Sequence, residues 1–282
     1  MIRKPAVAGL FYEGSTESLR KQLEWCFLHE LGPGKIPEVN TKGPRRIVGI
    51  VAPHAGYMYS GPVAANAYYA LALDGTPEVF VIMGPNHQGV GSPIATCESE
   101  VWETPLGNVR VDLDLAREIV RESGIVDMDD EAHAFEHSIE VQLPFLQFVF
   151  ENISFKIVPI SMLLQDLESS KILGKALAKV LRNRNAVIIA STDFTHYEPH
   201  DVAKEKDMKA IECILRIDPE LLFKTVRAHN ISMCGVGPVA TMLVASKLLG
   251  ASVAQLLKYA TSGDITGDKS QVVGYGSLAI LK

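Results

Sequence analysis

Short runs of consecutive apolar residues, rich in valine and isoleucine, alternate along this chain with longer segments whose apolar positions recur every three or four residues. The short runs predict strands at Ile47–Val51, Val79–Met83, Phe155–Ile160, Ala186–Ala190, Val253–Tyr259 and Val272–Leu281, the last broken by Gly274 and Gly276. The longer segments predict helices over Ser15–Glu30, Pro62–Leu73, Leu113–Glu122, Phe135–Phe150, Asp166–Leu181, Asp201–Leu215, Pro219–Arg227 and Val236–Leu249. Strands that are apolar throughout, without alternation, belong to a sheet covered on both faces. The fold class is therefore α/β, with a central mostly parallel or mixed sheet covered by helices. No linker, charge block or repeat interrupts the pattern, so residues 1–282 read as one domain.

Several element ends are marked in the chain. Asp218 followed by Pro219 reads as an N-cap and first helical residue, and Gly250 as a left-handed terminator. Pro144, inside a helical pattern, should kink or split that helix. The stretch Leu31–Arg46, with its Gly-Pro-Gly and Lys-Gly-Pro-Arg-Arg, reads as a solvated surface loop.

Composition narrows the functional classes. Of 282 residues, 47% are hydrophobic and 21% charged, enough to bury a large core. A formal net charge of −6 argues against a general nucleic-acid binder, and a small-molecule or peptide ligand fits better. The four cysteines are scattered, with no CxxC pair, which suits a reducing compartment. No apolar stretch reaches the roughly 18 to 20 residues of a membrane span, and Met1-Ile-Arg-Lys-Pro lacks the apolar core of a signal peptide, so a cytoplasmic protein without membrane partners is expected.

The chemistry gathers after the strands. Ile47–Val51 runs into Ala-Pro-His54-Ala-Gly-Tyr, Val79–Met83 into Gly-Pro-Asn-His87, and Ala186–Ala190 into Ser-Thr-Asp193-Phe-Thr-His196. Ligands of open α/β sheets bind beyond the carboxyl ends of the strands, so parallel neighbours would send three imidazoles into one crevice. Imidazole is the commonest metal ligand and the side chain best matched to proton transfer near pH 7. Cys234 lies in the glycine-rich turn Ser232-Met-Cys-Gly-Val-Gly-Pro238 ahead of an apolar helix, where free N–H groups should favour the thiolate. Cys26, Cys97 and Cys213 sit in apolar or mixed patterns and read as buried bystanders. Asp193 is expected to orient the His196 ring. Tyr57 and Tyr59 either line the pocket or pack the first helix, and Gly84 and Gly235 read as turn formers.

His133-Ala-Phe-Glu136-His137 matches the H-x-x-E-H string of inverted zinc proteases. Five residues with three fixed positions specify little. The plainer reading puts Glu136, His137 and Glu140 on a helix beside the pocket as hydrogen-bonding partners.

Together, Pro5-Ala-Val-Ala-Gly-Leu-Phe-Tyr12, Ala52-Pro-His-Ala-Gly-Tyr57, Gly84-Pro-Asn-His87, Glu136-His-Ser-Ile-Glu140, Leu143-Pro144, Asp193-Phe-Thr-His196 and Cys234-Gly235 resemble the Memo (mediator of cell motility) family from about Pro5 to the C-terminus. The resemblance implies a fold similar to LigB-type class III extradiol dioxygenases. It further implies that His54, His87 and Cys234 ligate iron or copper, with Asp193 and His196 beside them as catalytic groups. His133 departs from the family pattern, which lowers the protease reading further. A cysteine in place of the dioxygenase carboxylate shifts preference towards copper(I) or thiolate-bound iron and argues against simple extradiol cleavage. Three functions follow for comparison: a metal-dependent oxidoreductase, a non-catalytic module binding phosphopeptides or handling metal through the same pocket, and a hydrolase with Cys234 as nucleophile and His196 as base.

Overall fold

A computed structural model describes residues 1–282, and its centre is four adjacent parallel strands, in the order Lys156–Met162, Val79–Pro85, Ala186–Ser191, Ile47–Ala52. Ile47–Ala52 and Val79–Pro85 are buried at every position, as strands covered on both faces must be. Their side chains alternate between two cores. Val79, Val81 and Met83 enter the one beneath helices Leu113–Ser123, Leu167–Leu181 and Val236–Leu248. Phe80 and Ile82 enter the other, beneath Thr16–Leu28, Tyr57–Asp74 and Leu143–Val149. The expected α/β class with a mixed sheet is what forms, because antiparallel strands complete both edges.

At one edge, Val272–Leu281 pairs antiparallel with Ile47–Ala52 and with Val253–Thr261. At the other, Gly107–Val111 joins Lys156–Met162 in parallel and forms a hairpin with Val101–Thr104. The pattern gave no warning of that hairpin, because its residues include Glu103, Asn108 and Arg110 and half of them face outward. No helix is long and apolar enough to cross a membrane.

Two helices differ from expectation. The stretch expected as one helix over Phe135–Phe150 is split: residues 136–139 are irregular, Glu140–Gln142 is a single 3₁₀ turn, and the α-helix proper is Leu143–Val149 with Pro144 in its first turn. A proline there gives up an N–H that has no intrahelical partner anyway. The helix after His54 starts earlier than expected, at Tyr57, and accommodates Pro62 within it. Asp218 does cap its helix, accepting from Leu221 N–H, and Gly250 does lie in the left-handed region at φ 93°.

Candidate metal centre

Three of the central strands end side by side, and each delivers a polar residue to the same cleft. Ala52 pairs with Ser191 and Met83 with Ala190, so the turns beginning at Pro53, Asn86 and Thr192 are neighbours. The rings of His54 and His87 meet edge-to-face with centroids 5.2 Å apart. His137, from the irregular stretch before the 3₁₀ turn, stacks on His87 at 4.7 Å and lies 5.5 Å from His54. One ligand nitrogen from each of these three residues falls within 4.8 Å of the other two, a set that can hold a metal ion. His54 is buried and forms the floor, whereas the His87 side chain is 32% exposed and forms the rim.

The third imidazole of this set is His137, where the sequence places it only as a supporting group. The Cys234 sulfur lies outside the compact triple but touches its floor, with Sγ 3.2 Å from His54 Nε2. Asp193 N–H donates to that sulfur at 3.2 Å. The turn carrying Cys234 is clipped to the loop that follows Lys156–Met162 by Gln165, whose Nε2 donates to Cys234 O at 2.9 Å and whose Oε1 accepts from Gly237 N–H at 2.9 Å.

The outer nitrogens of the two strand-end imidazoles are engaged. Buried Glu136 accepts from both N–H groups of His87, backbone at 2.5 Å and Nδ1 at 3.0 Å, and from the backbone N–H groups of His137 and Ser138 at 2.8 Å each. His54 Nδ1 lies 2.8 Å from Ser191 Oγ. Such outer contacts fix ring orientation and leave Nε2 for a ligand.

Charge follows from these contacts. Burial pushes the Glu136 carboxyl up, but the His87 hydrogen bond, the nearby imidazoles and the Ser138 N–H outweigh it and hold the group at about 2. Burial lowers His137 to about 4 despite Glu136, and burial together with the neighbouring imidazoles drives His54 well below the ordinary histidine range. Both rings are therefore neutral near pH 7, with lone pairs that need not shed a proton to bind a cation.

Three expectations from the chain are corrected, and the choice left open for Tyr57 falls to packing. Asp193 does not hold the His196 ring: its Oδ1 accepts the His54 backbone N–H at 2.9 Å, and His196 Nδ1 is held by Ser232 O at 2.8 Å. Burial raises Asp193 to about 6 against that N–H donor. The Cys234 thiol is not favoured as thiolate in the metal-free protein, because burial, reinforced by the Asp193 charge, pushes its pKa up. Tyr57 does not line the cleft. It is buried, donates to Val141 O at 2.5 Å and packs on Phe145, while Tyr59 is 37% exposed. Gly235 does lie in the turn ahead of Val236, whereas Gly84 lies within the strand Val79–Pro85, and neither has a positive φ. They are needed for close approach: a Cβ at Gly84 would lie 2.4 Å from Ser138 Oγ, and one at Gly235 2.4 Å from Ser191 O. We expect Gly84→Ala to cost about 1–3 kcal/mol of stability, the usual range for overpacking, read as a lower urea midpoint with an unchanged slope.

The H-x-x-E-H string is not one helical face. His133 sits in the short helix Glu131–Ala134 with its ring against Trp102, 5.5 Å away, and both ring nitrogens buried without a partner. Glu136 and His137 lie beyond that helix and turn into the cleft. Glu140 does not serve the cleft directly: it binds Arg3, Ala6 N–H, Val7 N–H and Tyr12 OH, tying down the N-terminal segment whose Phe11 packs on His137 at 4.6 Å.

Burial, and secondarily Arg3, hold His133 at about 4, below the 6.5 of an exposed histidine. The unfolded chain then takes up the proton first. The stability this neutral ring represents is complete above about pH 6.5 and is lost as pH falls towards 4, on the order of 3 kcal/mol. Urea midpoints measured between pH 7 and 4 should fall less steeply in His133→Phe than in the wild type.

Strands, turns and cleft define an α/β protein with a histidine-lined candidate metal centre at the carboxyl ends of its central strands. Residues 3–279 match the family model described as Memo-like protein, and the chain belongs to the Memo family. It is similar to a MEMO1 family protein of Methanopyrus kandleri, 56% identical over 280 residues that cover 99% of this chain and 98% of the relative. A MEMO1 family protein of Methanothermobacter thermautotrophicus is 52% identical over 281 residues, covering 99% and 100%. Among solved structures, an uncharacterized protein of Escherichia coli K12 shares the fold at a TM-score of 0.60 and 14% identity, covering 83% of this chain and all of that one.

Proposed function

We propose that the cleft is a mononuclear iron or copper centre at which a small-molecule or peptide ligand undergoes redox chemistry. The observation that carries this reading is the convergence of three imidazoles whose ligand nitrogens lie within 4.8 Å of one another. The donor chemistry fits: His54 and His87 would hold the ion through Nε2, with Cys234 from the floor, and His137 offers a further nitrogen. Sulfur beside two nitrogens favours copper(I) or thiolate-bound iron over magnesium or calcium. Such an ion, when bound, supplies one-electron exchange that no side chain of this set provides.

The residues around it have separable tasks. His196 donates Nδ1–H to Ser232 O, which leaves Nε2 to take or give a proton. Asp193 fixes the turn bearing His54 through its backbone N–H. Glu136 holds His87 and the chain on either side of His137.

Non-catalytic phosphopeptide binding draws less support, because His54 and His137 are neutral near pH 7 and Glu136 is ionised, so these groups offer an anion no positive charge. Anaerobically purified protein should contain close to one iron or copper per chain, with the metal absent from His54→Ala and Cys234→Ala. Metal-loaded protein should consume oxygen or form superoxide faster than His196→Ala. Metal bound with equal rates in the two proteins favours metal handling without turnover.

A further inference from the structure

Around His54 the hydrogen-bond donors and acceptors can be counted to a single solution. Gln142 Nε2 lies 3.1 Å from Pro53 O and 3.3 Å from Ser138 O, two carbonyls that only accept, so the amide nitrogen must face them. Its Oε1 is then left to accept from Tyr68 OH at 2.5 Å. Ser191 Oγ lies 2.9 Å from the same Nε2, whose two protons are shared among it and the two carbonyls.

Ser191 has one hydroxyl proton, and its oxygen stands 2.7 Å from Ser138 O. Two oxygens that close repel unless a proton lies between them, so the Ser191 proton is committed to the carbonyl. Ser191 Oγ can therefore only accept from the His54 ring, 2.8 Å away, and His54 must carry its proton on Nδ1. Nε2 is left as a bare lone pair beside Cys234 Sγ. All the groups involved, Tyr68, Ser138, Gln142, Ser191 and His54, are buried, so water does not compete for these bonds.

We propose that Ser191, itself fixed by the Ser138 carbonyl and the Gln142 amide, is a positioning residue that locks His54 in the Nδ1–H tautomer and so presents Nε2 to the cleft. The arrangement does without charge what Glu136 does for His87 with a carboxylate. Its value to a bound cation rests on the metal reading above, but the lock itself is a property of the metal-free protein. Without Ser191 Oγ the Nδ1 proton loses its acceptor. The other tautomer, with a proton on Nε2, then becomes accessible, because Cys234 Sγ can accept from that nitrogen as well as donate to it.

The test is ¹⁵N NMR of histidine-labelled, metal-free protein at pH 7, followed by cobalt(II) titration. Wild-type His54 should show a protonated Nδ1 and an unprotonated Nε2, Ser191→Ala should move the proton towards Nε2, and Ser191→Thr, which keeps the hydroxyl, should restore the wild-type pattern. Cobalt(II) affinity should fall by roughly 10–100-fold in Ser191→Ala, the usual effect of losing an outer contact to a metal-binding histidine, and recover in Ser191→Thr. A wild-type spectrum with the proton on Nε2 overturns the proposal even if Ser191→Ala fails to fold, and so does an unchanged tautomer in a folded Ser191→Ala. Wild-type protein that shows the expected tautomer and shift, yet binds neither cobalt(II), iron nor copper, upholds the lock and removes the metal reading instead.

Discussion

Glu140→Ala should lower the free energy of unfolding by about 3–5 kcal/mol, the range found when one partner of a buried ion pair is removed. Glu140 is fully buried, and the Arg3 side chain paired with it is 5% exposed. Truncation leaves the guanidinium in place with only the carbonyls of His133 and Glu136 as acceptors. It also orphans Ala6 N–H, Val7 N–H and Tyr12 OH, the three other donors to this carboxylate. Arg3→Met/Glu140→Met should recover only the part of the loss due to the unpaired guanidinium, because Ala6 N–H, Val7 N–H and Tyr12 OH still lack their acceptor. Urea denaturation of the two variants measures both effects. A Glu140→Ala shift below about 1 kcal/mol, the scale of an exposed pair, would show that the pair contributes no more than a surface contact.

The second large effect is expected at the floor of the cleft. His54→Ala should weaken iron or copper binding by more than about 100-fold, because loss of an outer contact alone typically costs roughly 10–100-fold. His54 is the residue shared by both donor groupings: its ring belongs to the compact imidazole set and its Nε2 touches the cysteine sulfur. Glu136→Gln, which weakens the grip on His87 without removing a ligand, should fall inside the smaller range. Competition titration with a chromogenic chelator measures both. Equal affinities for wild type and His54→Ala would place the metal elsewhere.

Much of this was legible in the chain, and the reasons are specific. Ile47–Val51, Val79–Met83 and Ala186–Ala190 are unbroken apolar runs, which only doubly covered strands require, and the residues after such strands converge by topology. That logic locates His54 and His87, but it also sends His196 into the crevice, and His196 is not part of the compact set. It misses His137 as a partner in the cluster because the residue follows no strand: a helical pattern over Phe135–Phe150 masked an irregular turn held together by Glu136.

The roles of Asp193 and Ser191 were hidden for a different reason. Proximity in sequence suggests that Asp193 serves His196, three residues on, but the parallel pairing of Ala52 with Ser191 brings the turn of His54 closer. Ser191 and Gln142 carry no motif of their own, and their function exists only as a count of protons among buried groups far apart in the chain. A position ahead of a helix suggests a thiolate at Cys234, but burial dominates there and keeps the proton on the sulfur.

X-ray absorption at the edge of the bound metal, with wild type and Cys234→Ser compared, tests the central claim most directly. A centre built from these residues predicts imidazole nitrogens together with one sulfur in the wild-type coordination shell, and in the variant, loaded with metal through the oxygen that serine keeps at this position, the same nitrogens without the sulfur. A shell of oxygen donors only, identical in the two proteins, contradicts it.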